Sequence, residues 1–101
     1  MNVRYLPEAL AEYEAAAIWY DEHSTGAGDN FADAVERAEL LIAETPRTWP
    51  QWPGARNGVR RYLIPGLLFS IAYEVVGDEI FILAVAHQRR RPDYWFARRA
   101  T

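Results

Sequence analysis

The 101-residue sequence contains no cysteine, no lysine and only two histidines. Without cysteine there are no disulfides and no thiolate metal sites, a composition compatible with a reducing compartment. Two histidines are too few for a zinc centre, so neither a metal nor a cofactor is expected. No uncharged apolar stretch approaches the ~20 residues needed to span a bilayer, and Val3-Arg4-Tyr5-Leu6 lacks the long apolar core of a secretory leader. The expectation is a soluble, cytoplasmic protein with no membrane contact. A chain of this length suits one domain, residues 1–101, burying roughly 65% of its unfolded surface.

All eleven basic residues are arginine, whose planar fork suits bidentate contact with carboxylates, phosphates or aromatic faces. They are unevenly placed. Residues 1–50 carry three arginines against ten acids, a formal charge of −7, whereas residues 51–101 carry eight against four, giving +4. The acidic half would repel a phosphate backbone, so direct nucleic-acid binding is disfavoured as the main task.

Residues 3–6 are short and β-prone. Pro7-Glu8 then supplies a proline suited to the first helical turn and an acid that complements the helix dipole, so a helix is expected over 7–22. Leu6, Leu10, Tyr13, Ala17 and Tyr20 form its apolar stripe, with Glu8, Glu12, Glu22 and Trp19 directed away. Residues 23–28 read as a loop. A second helix over 28–44 places Phe31, Ala34, Val35, Ala38, Leu41 and Ile42 on one face and Leu40 opposite. Trp19 and Leu40, both outside their stripes, are either helix–helix contacts or a surface for a partner chain.

Three prolines and two glycines over 45–58 exclude a regular element, and Trp49 and Trp52 are expected to anchor this loop to the domain. Residues 59–64, 67–76 and 79–87 read as a three-stranded meander, with Pro65-Gly66 and Gly77-Asp78 as two-residue hairpin loops. That register pairs Ile64 with Leu67 and Val76 with Glu79. It puts Tyr62, Ile64, Phe69, Ile71, Tyr73, Val75, Ile80, Ile82, Ala84 and Ala86 on a helix-covered face. Arg61, Leu63, Leu68, Ser70, Ala72, Glu74, Phe81, Leu83, Val85 and His87 fall on an open one. Arg61 and His87 are thus expected close together on the open face, with a one-residue slip bringing Arg60 in place of Arg61. Pro92 can start a short helical turn, with Asp93 early and Arg98 and Arg99 late.

The stretch 82–95, Ile-Leu-Ala-Val-Ala-His-Gln-Arg-Arg-Arg-Pro-Asp-Tyr-Trp, carries the most specific signal. Together with Ile18-Trp19-Tyr20, the segment 26–31, the Arg60-Arg61 pair and Ser70-Ile71-Ala72-Tyr73-Glu74-Val75, it resembles the RelE/ParE superfamily of toxins from bacterial type II toxin-antitoxin systems, and its ParE-like branch in particular. The resemblance spans nearly the whole chain. It departs where relatives often have Phe-Pro-Tyr, since Leu67-Leu68-Phe69 stands there.

The resemblance implies an α+β domain, β-α-α-β-β-β, with a helical hairpin packed on one face of a mainly antiparallel sheet. It also implies a cognate antitoxin and a toxin-antitoxin hetero-oligomer. Two activities occur among relatives: inhibition of DNA gyrase by protein contact, and ribosome-dependent cleavage of mRNA. Cleavage needs a base, an acid and positive charge for the transition state. His87, Arg61 and Tyr94 are the residues available for those roles, with Glu74 a distant candidate. Gyrase inhibition needs only a presented surface, for which Arg89, Arg90, Arg91, Tyr94 and Trp95 supply the residue types enriched in binding hot spots. The expected function is a ParE-like gyrase inhibitor. The alternatives are an mRNA endonuclease or a module that binds antitoxin without toxicity.

Overall fold

Pro7 occupies the first turn of the first helix, where its missing N–H costs no hydrogen bond. The computed structural model describes residues 1–100. Its elements are β1 (Asn2–Tyr5), α1 (Pro7–His23), α2 (Ala27–Glu44), β2 (Arg60–Leu63), β3 (Phe69–Val76) and β4 (Glu79–His87), followed by a 3₁₀ turn, Pro92–Trp95. The helices form a tight hairpin because Gly28 leaves room for one. A Cβ there would fall 2.6 Å from the Ala17 carbonyl oxygen, and the Gly28 N–H donates to Asp21 Oδ1 at 2.8 Å. Gly26, at φ +85°, provides the left-handed residue that lets the chain reverse.

The four strands are ordered β1-β4-β3-β2. β1 runs parallel to β4, and the other neighbours are antiparallel. The helical hairpin covers one face of this sheet, so the expected α+β architecture is borne out. Phe31, Val35, Ala38 and Ile42 of α2 pack with Tyr62, Ile71, Tyr73, Ile80 and Ile82 of the sheet.

α1 differs from its expected stripe. Ala9 and Ala16 are its buried residues, while Leu10 is 45% exposed and Glu12 is directed inward. α1 touches α2 along one side and β4 along another, and alanine is what permits the close approach to β4. On α2, Leu40 is exposed as its position off the stripe required, but Leu41 is exposed as well. Trp52 is buried and Trp49 partly so, each meeting a ring edge-on (Trp95 and Tyr62, both at 4.8 Å between centroids), which fixes the irregular loop as expected.

Two features change the expected register. The β2–β3 loop holds four residues rather than two: the Ile64 N–H donates to Phe69 O, and Leu63 pairs with Ser70. Arg61 therefore faces Ala72, not Ser70, although this two-residue shift leaves every side chain on its expected face. The second feature does not. The Gly77-Asp78 turn has the expected pairing, Val76 with Glu79, but a bulge follows. Tyr73 pairs with Ile82 and Ala72 with Ala84, leaving Leu83 as the extra residue. Beyond it the faces of β4 exchange. Val85 joins the helix-side core and His87 pairs with Phe69, while Ala84 and Ala86 turn to the other side. The expected shared face for Arg61 and His87 is thereby overturned.

Nor is the second face open. Trp52, Trp95 and Val59 pack over Ala72, Leu83, Ala84 and Ala86 as a second small core. The alanines matter here, because only short side chains leave space for two indoles above the strands.

Candidate functional site

β1 ends at Tyr5, so beyond Ile82 the edge of β4 has no strand beside it. Backbone groups left there need other partners. Glu12 and Arg98 supply them. The Val85 N–H donates to Glu12 Oε1 at 3.1 Å, and Arg98 Nη1 donates to the Leu83 carbonyl at 3.0 Å. The two side chains also bind each other, with Arg98 Nη1 and Nη2 donating to Glu12 Oε1 and Oε2 at 3.0 and 3.2 Å. The Tyr94 hydroxyl completes the cluster, donating to Glu12 Oε2 at 2.7 Å.

This cluster holds the exit of β4 in place. The Arg90 guanidinium lies 3.7 Å from the centre of the Tyr94 ring, stacked on a residue that Glu12 has already immobilised. The Arg90 N–H donates to the His87 carbonyl, and Gln88 donates from its backbone and its side chain to Leu68 and Leu67. Arg89, Arg90 and Arg91 stand exposed on this tethered turn. Burial pushes the Tyr94 hydroxyl pKa well above its usual range, assisted by the hydrogen bond to Glu12 and its charge and opposed by Arg90 and Arg98. A phenol so held keeps its proton.

Two concavities flank the turn. A groove of about 300 Å³ runs between α1 and β4, lined by Glu12, Ala16, Trp19, Val85, His87 and Tyr94 among others. Trp19 is 42% exposed there and stacks on His23 at 3.9 Å. On the other side lies a recess of about 230 Å³, whose walls include Trp52, Arg61, Ser70, Ala86 and Pro92. His87 and Arg90 line both and form the ridge between them. The Arg89 N–H donates to His87 Nδ1 at 3.1 Å, which leaves the neutral ring's proton on Nε2.

Of the residues singled out from sequence, His87, Arg90 and Tyr94 converge with Trp19 at the groove. Arg61 does not line the groove; it stands across the His87–Arg90 ridge in the recess, its guanidinium 5.2 Å from the Trp52 ring centre. Leu40 is on α2, which contributes nothing to the groove lining. Trp95 was expected on the presented surface but is wholly buried, edge-on to Trp52 and Phe96. Its indole is too large to stay exposed beside a row of alanines that leaves it room. Glu74 is paired with Arg56 at 2.6 Å, and Arg56 also donates to the Arg98 carbonyl, so Glu74 serves the second core. Sequence reasoning missed Glu12 and Arg98 as a pair. The available signal was Ala9, Glu12 and Ala16, spaced by three and four, which puts the carboxylate on the helix's closest-packed face.

A family model for the ParE toxin of the type II toxin-antitoxin system, parDE, matches residues 3–92. The chain belongs to the ParE toxin family. It is therefore a ParE-type toxin of a type II toxin-antitoxin system, and membership implies an antitoxin as partner. A solved chain of the chromosomal ParDE toxin-antitoxin system from P. aeruginosa shares the fold, with a TM-score of 0.65 and 21% identity over 86% of this chain and 95% of that one. A search among curated proteins finds no match. Among the described residues, no helix is long and apolar enough to cross a membrane.

Proposed function

We propose that this ParE-type toxin arrests growth in the cytoplasm by binding DNA gyrase, and that a cognate antitoxin neutralises it within a hetero-oligomeric complex. The observation that carries this reading is the turn of three exposed arginines, Arg89, Arg90 and Arg91, with its middle member stacked on an immobilised tyrosine. Ordering a long arginine normally costs rotamer entropy on binding, and prior stacking reduces that cost. A surface held in this way suits inhibition by contact, with no chemistry required. The antitoxin would mask the same turn with acidic side chains and fill the apolar groove beside Trp19.

Ribosome-dependent mRNA cleavage is the second reading, and one observation favours it: Arg61, His87 and Arg90 line a common recess. Against it stands Tyr94, whose hydroxyl is engaged by Glu12 and whose raised pKa makes it a poor proton donor. Induction of the chain without its neighbouring gene product tests both, since unimpaired growth would leave only a non-toxic antitoxin-binding role. If growth stops, purified protein should block gyrase supercoiling and leave ribosome-loaded mRNA intact. The triple variant Arg89→Gln, Arg90→Gln, Arg91→Gln should lose at least tenfold in inhibition while its melting curve stays unchanged. A variant that retains full inhibition would refute the assignment to this turn.

A further inference from the structure

The recess between the Trp52 loop and the exit of β4 has a chemistry distinct from the groove. No acid is among its lining residues, and Arg61, Ser70, His87 and Arg90 are. Elsewhere, arginines that are partly withdrawn from water have partners: Arg98 has Glu12, Arg56 has Glu74, and Arg60 donates to the Trp49 carbonyl. Arg61 is also partly buried, yet among the described residues its side chain forms neither a hydrogen bond nor an ion pair, and its Nε is sealed from solvent without an acceptor. The Ser70 hydroxyl is likewise buried, in a residue only 2% exposed, and has no partner. Two orphaned donors, a free arginine stacked on Tyr94 and a histidine with its Nε2 proton available therefore line one concavity. Buried donors without acceptors are rare in native proteins and call for a ligand that supplies one.

We infer that this recess is a receptor for a carboxylate side chain of an acidic peptide segment. At about 230 Å³ it lies below the usual size of small-molecule sites and suits a single side chain. The Arg61 fork matches a carboxylate bidentately, and Trp52 beneath it holds the guanidinium plane in position. The pyrrolidine of Pro92 and the Trp52 indole exclude water around the ion pair. A polynucleotide phosphate is less suited, because the acidic first half of the chain would oppose an extended backbone. The inference concerns the chemistry of the recess and stands whether the antitoxin or the target brings the carboxylate.

Isotope-labelled full-length protein, observed through its arginine Nε–H and backbone amide signals, tests this directly. Acetyl-Ala-Glu-Ala-amide should shift Arg61 Nε–H and the amides of Ala86 and Gln88 saturably, and the glutamine analogue should not. Arg61→Gln should abolish the shifts, and Ser70→Ala should weaken binding several-fold in a protein whose spectrum remains folded. Equal shifts with the glutamine peptide, or shifts confined to Arg89 and Arg91, would overturn the proposal. So would displacement of the peptide by a uridine oligonucleotide at lower concentration. Purified antitoxin and gyrase, added separately to peptide-loaded protein, identify the source as whichever displaces the peptide; displacement by neither would refute a protein-docking role.

Discussion

Replacing Glu12 with alanine removes one carboxylate and leaves three donors without an acceptor: the Tyr94 hydroxyl, the Val85 N–H and part of the Arg98 fork. The side chains of Glu12 and Arg98 keep only 16% and 17% of their exposure, so solvent cannot readily replace what is lost. Breaking a buried ion pair by deleting one partner costs about 3–5 kcal/mol. Arg98 retains the Leu83 carbonyl, which argues for the lower end, about 3 kcal/mol. For a domain of this size that corresponds to a fall in Tm of ~12–24 °C. In urea, with m of about 1.5 kcal/mol/M, the midpoint should drop by ~2 M at constant slope. Glu12→Gln should recover about half of the loss, because it still accepts one hydrogen bond. Tyr94→Phe alone should cost ~1 kcal/mol, and the double variant should show clear coupling between the two sites. A midpoint for Glu12→Ala within ~0.3 M of the parent would refute the idea that this carboxylate anchors the β4 edge.

Trp95→Ala should destabilise the fold by about 4 kcal/mol, since it empties the centre of the second core; a loss below ~1 kcal/mol would mean that Trp52 and Phe96 collapse into the space. Alkaline stability offers an independent check. Burial raises the pKa values of Tyr5, Tyr13, Tyr73 and Tyr94 above the usual 10.0, Tyr73 to about 12. The unfolded chain then releases protons that the folded one keeps. Stability should be undiminished below pH 10 and fall progressively as pH rises through the folded pKa values. Urea midpoints measured across pH 9 to 12 should therefore decline, and a flat profile would contradict the burial of these phenols.

How much of this was legible in advance depended on whether the signal was local. Pro7, the stripe of α2 apart from Leu41, and the Gly77-Asp78 turn are decided by neighbours in sequence and formed as expected. The bulge at Leu83 is not local. It follows from β3 packing Ile71 against the helices while β4 must turn small residues, Ala84 and Ala86, toward the indoles, and the strand Ile-Phe-Ile-Leu-Ala-Val-Ala reads equally well in either phase. One unplaced residue then moved His87 to the helix-side phase, at the ridge between the groove and the recess that Arg61 lines, rather than onto Arg61's own face. The burial of Trp95 has the same origin, because its cavity is made by alanines on two different strands. Glu12 was misread because a helix presses against two neighbours, whereas a single apolar stripe describes contact with one.

The parallel pairing of β1 with β4 bears on the order in which the molecule can form. Asn2 finds its strand partner at Glu79, and Glu12 finds Arg98, so these earlier segments have no place to dock until the later ones are made. At ~5–20 residues per second, the 77 residues from Asn2 to Glu79 represent ~4–15 s of synthesis during which β1 is unpaired. The helical hairpin can close early, since its contacts are near in sequence, but the exit of β4 and its arginine turn take shape after it. The arginine turn proposed as the contact surface is thus ordered only after β4 has paired, later than the helical hairpin.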